Sequence, residues 1–377
     1  MAPPEGLNTL CVHAAHEPDA AFGSISEPIY LSTTFERDVD GGYARGYRYS
    51  REGTPNRDAL EACVAELEGG IGGVAFSSGL AANMALLELL DRGAQLVAPV
   101  QGYYGTLRQF HETAARRGVE VTLVDFSDAS KVEEVIGAAT ELIWVETPAN
   151  PLLSITDLAR IAEIARECEA RVVCDNTFAT PVCQRPFDFG VDVVVHSGTK
   201  YLGGHSDAQS GLLVVREDKA LLERLRDWQR LAGATLAPFD AWLLRRSIST
   251  LALRVRMQCR SALSIAEFLT EHAGVERVYY PGLAAHPGHA VAVRQMLGGF
   301  GAIVSVCVKG GIEAAMEAAS RTKLFTRATS LGGVESLIEH RASIEGPKSS
   351  TPQNLLRLSI GIEDAEDLIA DLDQALG

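Results

Sequence analysis

The chain has 377 residues, 46% of them hydrophobic and 22% charged, which suits a folded protein with more than one packed body. A formal charge of −15 without any Lys/Arg run argues against nucleic acid as a partner, although a local arginine or helix N-terminus can still take a small anion. No membrane span of about 18 apolar residues occurs, MAPPEGLNTL lacks the layout of a secretion signal, and the seven cysteines form no C-x-x-C pair. Reduced, mostly buried thiols and a cytoplasmic location are therefore expected.

Residues 1–50 carry Pro3, Pro4, Pro18, Pro28, the pair Gly41-Gly42 and the aromatic series Tyr43, Tyr47, Tyr49, with no sustained period. They read as an extended arm of the kind that embraces a neighbouring subunit. Regular structure starts at Thr54, where Pro55 suits the first turn of a helix through Glu68, ended by Gly69-Gly70. Short apolar strands are expected at 73–77, 95–99, 120–124, 142–146, 171–175, 191–196 and 211–216. They alternate with helical segments at 80–91, 107–117, 129–139 and 155–170. Such alternation predicts the α/β class, with a mostly parallel seven-stranded sheet flanked by helices. A long helical stretch follows at 238–272, then strands such as 301–308 and a last helix at 366–376. Three parts result: the arm at 1–50, a main domain at 51–243 and a smaller α+β C-terminal domain at 244–377.

In open α/β sheets ligands gather at the carboxyl ends of the strands. The first strand runs into Ser77-Ser78-Gly79-Leu80 and a helix start, which suits a phosphate but is also a common helix cap. Asp175 closes one strand, and Lys200 follows another in the turn His196-Ser197-Gly198-Thr199-Lys200. Asp175 and Lys200 alone could be an ordinary ion pair. With an aldehyde cofactor, the lysine would form a Schiff base while the carboxylate paired with a protonated ring nitrogen. His196 and His205 lie near the lysine, but no His or Cys/His spacing matches a metal site, so no metal is expected.

The stretch VDVVVHSGTKYLGGHS, from Val191 to Ser206, resembles the attachment-site signature of the Cys/Met-metabolism family of pyridoxal phosphate (PLP) enzymes. The resemblance runs from YRYSREGTPNRDALE to LLRLSIGIEDAEDLIADLDQAL and covers cystathionine γ-synthases, cystathionine γ-lyases and methionine γ-lyases. It implies a fold-type I architecture and a homotetramer of two tight dimers with shared active sites. It implies that Lys200 carries PLP and moves protons at the substrate's α and β carbons, with Asp175 on the pyridine nitrogen and Thr177 supporting the ring. Tyr103, in Tyr103-Tyr104-Gly105-Thr106, would stack on the ring and, with a lowered pKa, protonate the leaving group. Ser78, Gly79, Leu80, Ser197 and Thr199 would hold the phosphate, together with Tyr49 and Arg51 supplied by the neighbouring subunit. Asn150, in ETPANP, would sit by the phenolic oxygen and the substrate, Arg357 would grip the substrate carboxylate, and Ser330 would lie near the lysine amine.

Glu339, in ESLIEH, stands where γ-lyases often have Glu and γ-synthases often have Ser. The resemblance thus points to a C–S γ-lyase taking methionine, cystathionine or homocysteine to 2-oxobutanoate, ammonia and a thiol. The alternative is γ-replacement by a cystathionine γ-synthase or O-acylhomoserine sulfhydrylase, and more remotely a non-catalytic PLP-binding member. Three departures bear on the substrate: Gly105 where methionine γ-lyases typically have cysteine, Tyr104 in place of a second glycine, and Ile344-Glu345-Gly346-Pro347-Lys348 in place of the usual M-T-H segment.

Overall fold

A computed structural model describes residues 6–346 and 350–377, so Pro347 and Lys348 of the departing loop lie outside the described residues. The large sheet holds β1 (Gly72–Phe76), β2 (Gln95–Pro99), β3 (Glu120–Val124), β4 (Thr140–Glu146), β5 (Arg171–Asp175), β6 (Val193–Ser197) and β7 (Gly211–Val215). Their order is β1-β7-β6-β5-β4-β2-β3, and only β7 runs antiparallel to its neighbours. Alternation along the strands feeds two cores. Cys174, Val194, Val97 and Ile143 pack on one face, while Val173, Val195, Leu96 and Trp144 pack on the other. The expected α/β class with a mostly parallel seven-stranded sheet is therefore what the chain adopts.

The smaller sheet joins β8 (Val275–Tyr279), β9 (Ile303–Val308), β10 (Thr326–Arg327), β11 (Leu337–His340) and β12 (Leu355–Ser359) in the order β10-β11-β12-β9-β8. It is antiparallel apart from the β10–β11 pair. The expected 238–272 helix is two helices, Pro238–Ile248 and Leu251–Glu271. At the break the Thr250 hydroxyl donates back to the Ser247 carbonyl at 3.2 Å, satisfying a group that an unbroken helix would pair. Residue 244, where the second domain was expected to start, falls inside the first of these two helices.

The arm is less extended than its proline content suggests. Leu7–His13 is a helix packed on Leu251–Glu271 and buries Cys11. Trp242 Nε1 donates to the Glu27 carbonyl at 2.9 Å, and Asn56 Nδ2 to that of Pro28 at 2.8 Å. On either side of these anchors, between the helix Leu7–His13 and Thr54, Phe22, Ile25, Leu31 and Val39 are strongly exposed. All seven cysteines are free, with only Cys168 partly exposed. Among the described residues no helix is long and apolar enough to cross a membrane, and no group of three or more His, Cys, Asp or Glu could hold a metal ion.

Candidate active site

Parallel β1, β2, β4, β5 and β6 all end on one edge of the sheet, where Glu146, Asp175 and Ser197, the last residues of β4, β5 and β6, open into a cavity of about 280 Å³. The β1 end leads through Ser78 into the helix Gly79–Leu87, whose Ser78 hydroxyl accepts from Ala81 N at 3.2 Å. The capping reading of Ser78 is thus correct, and it leaves the first turn's remaining N–H groups facing the cavity edge. A Cβ on Gly79 would lie 3.3 Å from the Ser197 Cβ, so any side chain there would fill the cradle between the helix start and β6. The space beside Gly79, Leu80, Ser197 and Thr199 suits a phosphate.

The β5 and β6 ends are tied together at the next layer. Thr177 N donates to Asp175 Oδ1 at 3.0 Å, and Thr177 Oγ1 accepts from Ser197 N at 2.8 Å. Asp175 has a raised pKa from burial, opposed by the Thr177 bonds and His196. Directly across from it in register lies Glu146 at the end of β4. Glu146 is pushed up to about 8, first by burial and then by Asp175. Both carboxyls are thus pushed upward by burial, Glu146 further by the charge of Asp175 beside it, while the Thr177 bonds and His196 act in the opposite direction on Asp175. The Glu146 carboxyl also accepts from Tyr103 N at 2.7 Å and from Asn150 N at 2.8 Å, pinning both residues at the cavity wall.

Lys200 Nζ donates to Ser330 Oγ at 2.8 Å. Ser330 reaches that place with φ +88°, a strained backbone conformation for a non-glycine residue. Burial, followed by the nearby Arg357 cation, lowers the Lys200 amine from 10.5 to about 8. A nucleophilic amine is thus available close to neutral pH. Arg357, on β12, donates to Asn150 Oδ1 at 3.1 Å, to the Ser330 carbonyl at 2.9 Å and to Glu339 Oε2 at 2.7 Å.

Of the residues singled out in the sequence, Lys200, Tyr103, Asp175, Thr177, Ser78, Gly79, Leu80, Ser197, Thr199, Asn150, Ser330 and Arg357 all line this cavity. Glu339 does not: it is 5% exposed and lies behind the two arginines it bonds. Tyr49 and Arg51 also line none of it. Arg51 instead donates to the Arg230 carbonyl at 2.8 Å and borders a separate open groove of about 1090 Å³ that contains no lysine. The phenol of Tyr103 departs from the expected lowered pKa, since burial and then Tyr104 raise it. A phenol that holds its proton is suited to give one up to a leaving group rather than to abstract one.

Glu146, Asn83, Thr106, Tyr104 and Arg341 also line the cavity but were not picked out as site residues. The strand-end rule that found Asp175 applies equally to Glu146, one strand over. Arg341 follows β11 directly, and nothing local in the sequence marks it.

A model of the family described as "Cys/Met metabolism PLP-dependent enzyme" matches residues 8–377. The chain belongs to this family. It is 47% identical over 378 residues to a Mycobacterium tuberculosis protein named cystathionine gamma-synthase, covering 99% of this chain and 97% of that one. It is 45% identical to a Coxiella burnetii protein named cystathionine beta-lyase, covering 98% and 97%. The crystal structure of cystathionine gamma synthase from Xanthomonas oryzae pv. oryzae in complex with cystathionine superimposes with a TM-score of 0.95 at 43% identity, covering 99% of this chain and 98% of that one. The fold is thus that of PLP-dependent trans-sulfuration enzymes, and PLP is the cofactor.

Proposed function

We propose that the chain catalyses γ-replacement, joining the thiol of cysteine to an O-acylated homoserine, as a cystathionine γ-synthase does. What supports this choice is that relatives and solved structures this similar are named cystathionine gamma-synthases, while the place of Glu339 weakens the competing reading. The γ-lyase expectation leaned on that residue, yet its carboxylate is buried between Arg357 and Arg341 and borders no part of the cavity. The named synthases among the relatives and solved structures agree with replacement better than with elimination. With Lys200, Asp175, Tyr103 and Arg357 gathered around one cavity, the non-catalytic reading has no support.

PLP, when bound, supplies an electron sink for the charge left on the substrate carbons. Each remaining task falls to a side chain. Lys200 attaches the cofactor, then moves a proton from Cα and a second from Cβ. Its neighbour Ser330 accepts from the amine and fixes where it points. Asp175 would hold the N–H of the bound ring, Thr177 braces the same strand end, and Asn150, bonded to Arg357, would serve the ring's oxygen substituent. Arg357 takes the substrate carboxylate as a planar fork. Tyr103, kept protonated, donates to the departing group. Gly79, Leu80, Ser197 and Thr199 would hold the phosphate, and Tyr49 and Arg51 of a neighbouring copy would complete that cradle, within a homotetramer whose contacts would cover the exposed arm.

The decisive test incubates the holoenzyme with O-acylhomoserine with and without cysteine, and separately with cystathionine and methionine. Cystathionine and 2-oxobutanoate are then measured. Cystathionine should form with cysteine faster than 2-oxobutanoate appears from any single substrate. Faster release of 2-oxobutanoate from cystathionine or methionine would restore the γ-lyase reading.

A further inference from the structure

Two departures noted in the sequence, Tyr104 and the segment beginning at Ile344, converge on one side chain. Arg341 is 2% exposed yet contributes to the cavity wall beside Arg357. Its Nη1 donates to Glu339 Oε2 at 2.7 Å, the same oxygen that Arg357 Nη2 reaches at 2.7 Å. Its Nε and Nη2 donate to Glu345 Oε1 at 3.2 and 2.9 Å, and Glu345 is held in turn by the Thr351 hydroxyl at 2.6 Å. The Tyr104 ring centroid lies 6.0 Å from its guanidinium carbon. Two carboxylates and an aromatic ring therefore fix one arginine that a simple carboxylate clamp does not need.

The charges explain its presence. A buried Glu339 facing Arg357 alone would form a closed ion pair and cancel the cation meant for the substrate. Arg341 shares that carboxylate, donating to the same oxygen that Arg357 reaches. Without it, the buried Glu339 would close on Arg357 alone, and the substrate carboxylate would have to compete with it for one guanidinium.

We infer that Arg341 is a positioning residue that divides Glu339 between two guanidiniums and so keeps Arg357 both oriented and available to the α-carboxylate. This role rests on the reading of Arg357 as the carboxylate clamp. It applies equally to replacement and elimination, so it does not depend on which reaction follows.

The test uses holoenzyme and two non-reacting ligands that differ only in the carboxylate, norleucine and pentylamine, with binding read from the visible absorption of the bound cofactor. In Arg341→Met, norleucine should bind roughly 10- to 100-fold more weakly, the loss of a hydrogen bond to a charged group, while pentylamine changes little. The double variant Glu339→Gln/Arg341→Met, which removes the unbalanced charge, should recover most of the loss. In turnover the defect should fall on KM more than on kcat. Equal weakening of both ligands, or no recovery in the double variant, would overturn the inference. Should Arg341→Met fail to accumulate as holoenzyme, Arg341→Lys keeps the charge but not the fork, and the norleucine-to-pentylamine ratio should still drop. Arg357→Gln separates the two readings: if norleucine keeps its advantage over pentylamine there, the assignment of Arg357 is wrong, whatever Arg341 does.

Discussion

The two sides of the cavity are held by different physics. The floor, from Ser78 to Lys200, consists of strand ends and a helix start, placed by backbone pairing in one sheet and tightened by short bonds such as Thr177 to Ser197. The opposite wall, from Thr329 to Arg357, comes from the smaller sheet and is ordered by a charge network through Glu339, Arg341, Glu345 and Arg357. Backbone pairing is insensitive to which substrate is used, whereas a charge network can be retuned by single substitutions. Such a division would let substitutions in the wall retune substrate use while the floor stays in place. Lys200 belongs to both sides: its backbone lies in the floor, while its amine bonds to Ser330 and is shifted by Arg357.

The largest effect should come from breaking the floor at that shared residue. Lys200→Ala should lose covalent cofactor attachment, seen as loss of the visible band retained by the native protein after gel filtration. Turnover should fall by about 10²- to 10⁴-fold, the usual contribution of a positioned proton-transfer group. A variant with native turnover would remove Lys200 from the mechanism.

The next effect crosses from wall to floor. Attachment requires the neutral amine, and burial with Arg357 has lowered Lys200 to about 8. Loading of cofactor-free protein should accordingly rise with pH through a midpoint near 8 and level off above it, followed by stopped-flow absorbance. Removing the cation with Arg357→Gln lets the ammonium form persist to higher pH, so the midpoint should move upward, toward the ordinary lysine value. A midpoint that stays fixed in this variant would show that the wall does not act on the amine.

The floor was also the more legible side in the sequence, for a physical reason. An apolar run that stops at Asp175 or Ser197 marks the point where a buried strand leaves the core, and VDVVVHSGTKYLGGHS carries lysine, hydroxyls and glycines within one local stretch. The wall depends on side chains that meet only after folding. Arg341 and Tyr104 are 237 positions apart, and no spacing rule joins them. Glu339 shows the same limit: its type was read as substrate-binding, but its burial behind two arginines is a tertiary fact. Helix content around 107–117 was legible too, although the chain there passes from the helix Tyr104–Gln109 into a wider π-turn at Phe110–Ala114. The arm's proline pattern hid the short helix Leu7–His13, which owes its place to packing on Leu251–Glu271 rather than to its own length.

The smallest effect concerns Gly105, one of the departures noted in the sequence, beside Tyr103 on the floor side. A Cβ on Gly105 would sit 2.7 Å from the Tyr103 ring, so glycine is what lets that ring lie where it does. Gly105→Ala should push the phenol aside by a few tenths of an ångström while leaving the phosphate cradle and Lys200 untouched. Cofactor retention should stay native, and turnover should drop by roughly three- to tenfold, through misplacement of the proton donor. Because only the leaving-group step uses that proton, the loss should shrink for homoserine esters whose leaving groups are better. If all leaving groups suffered alike, Tyr103 would be acting on the ring's position and not as the acid.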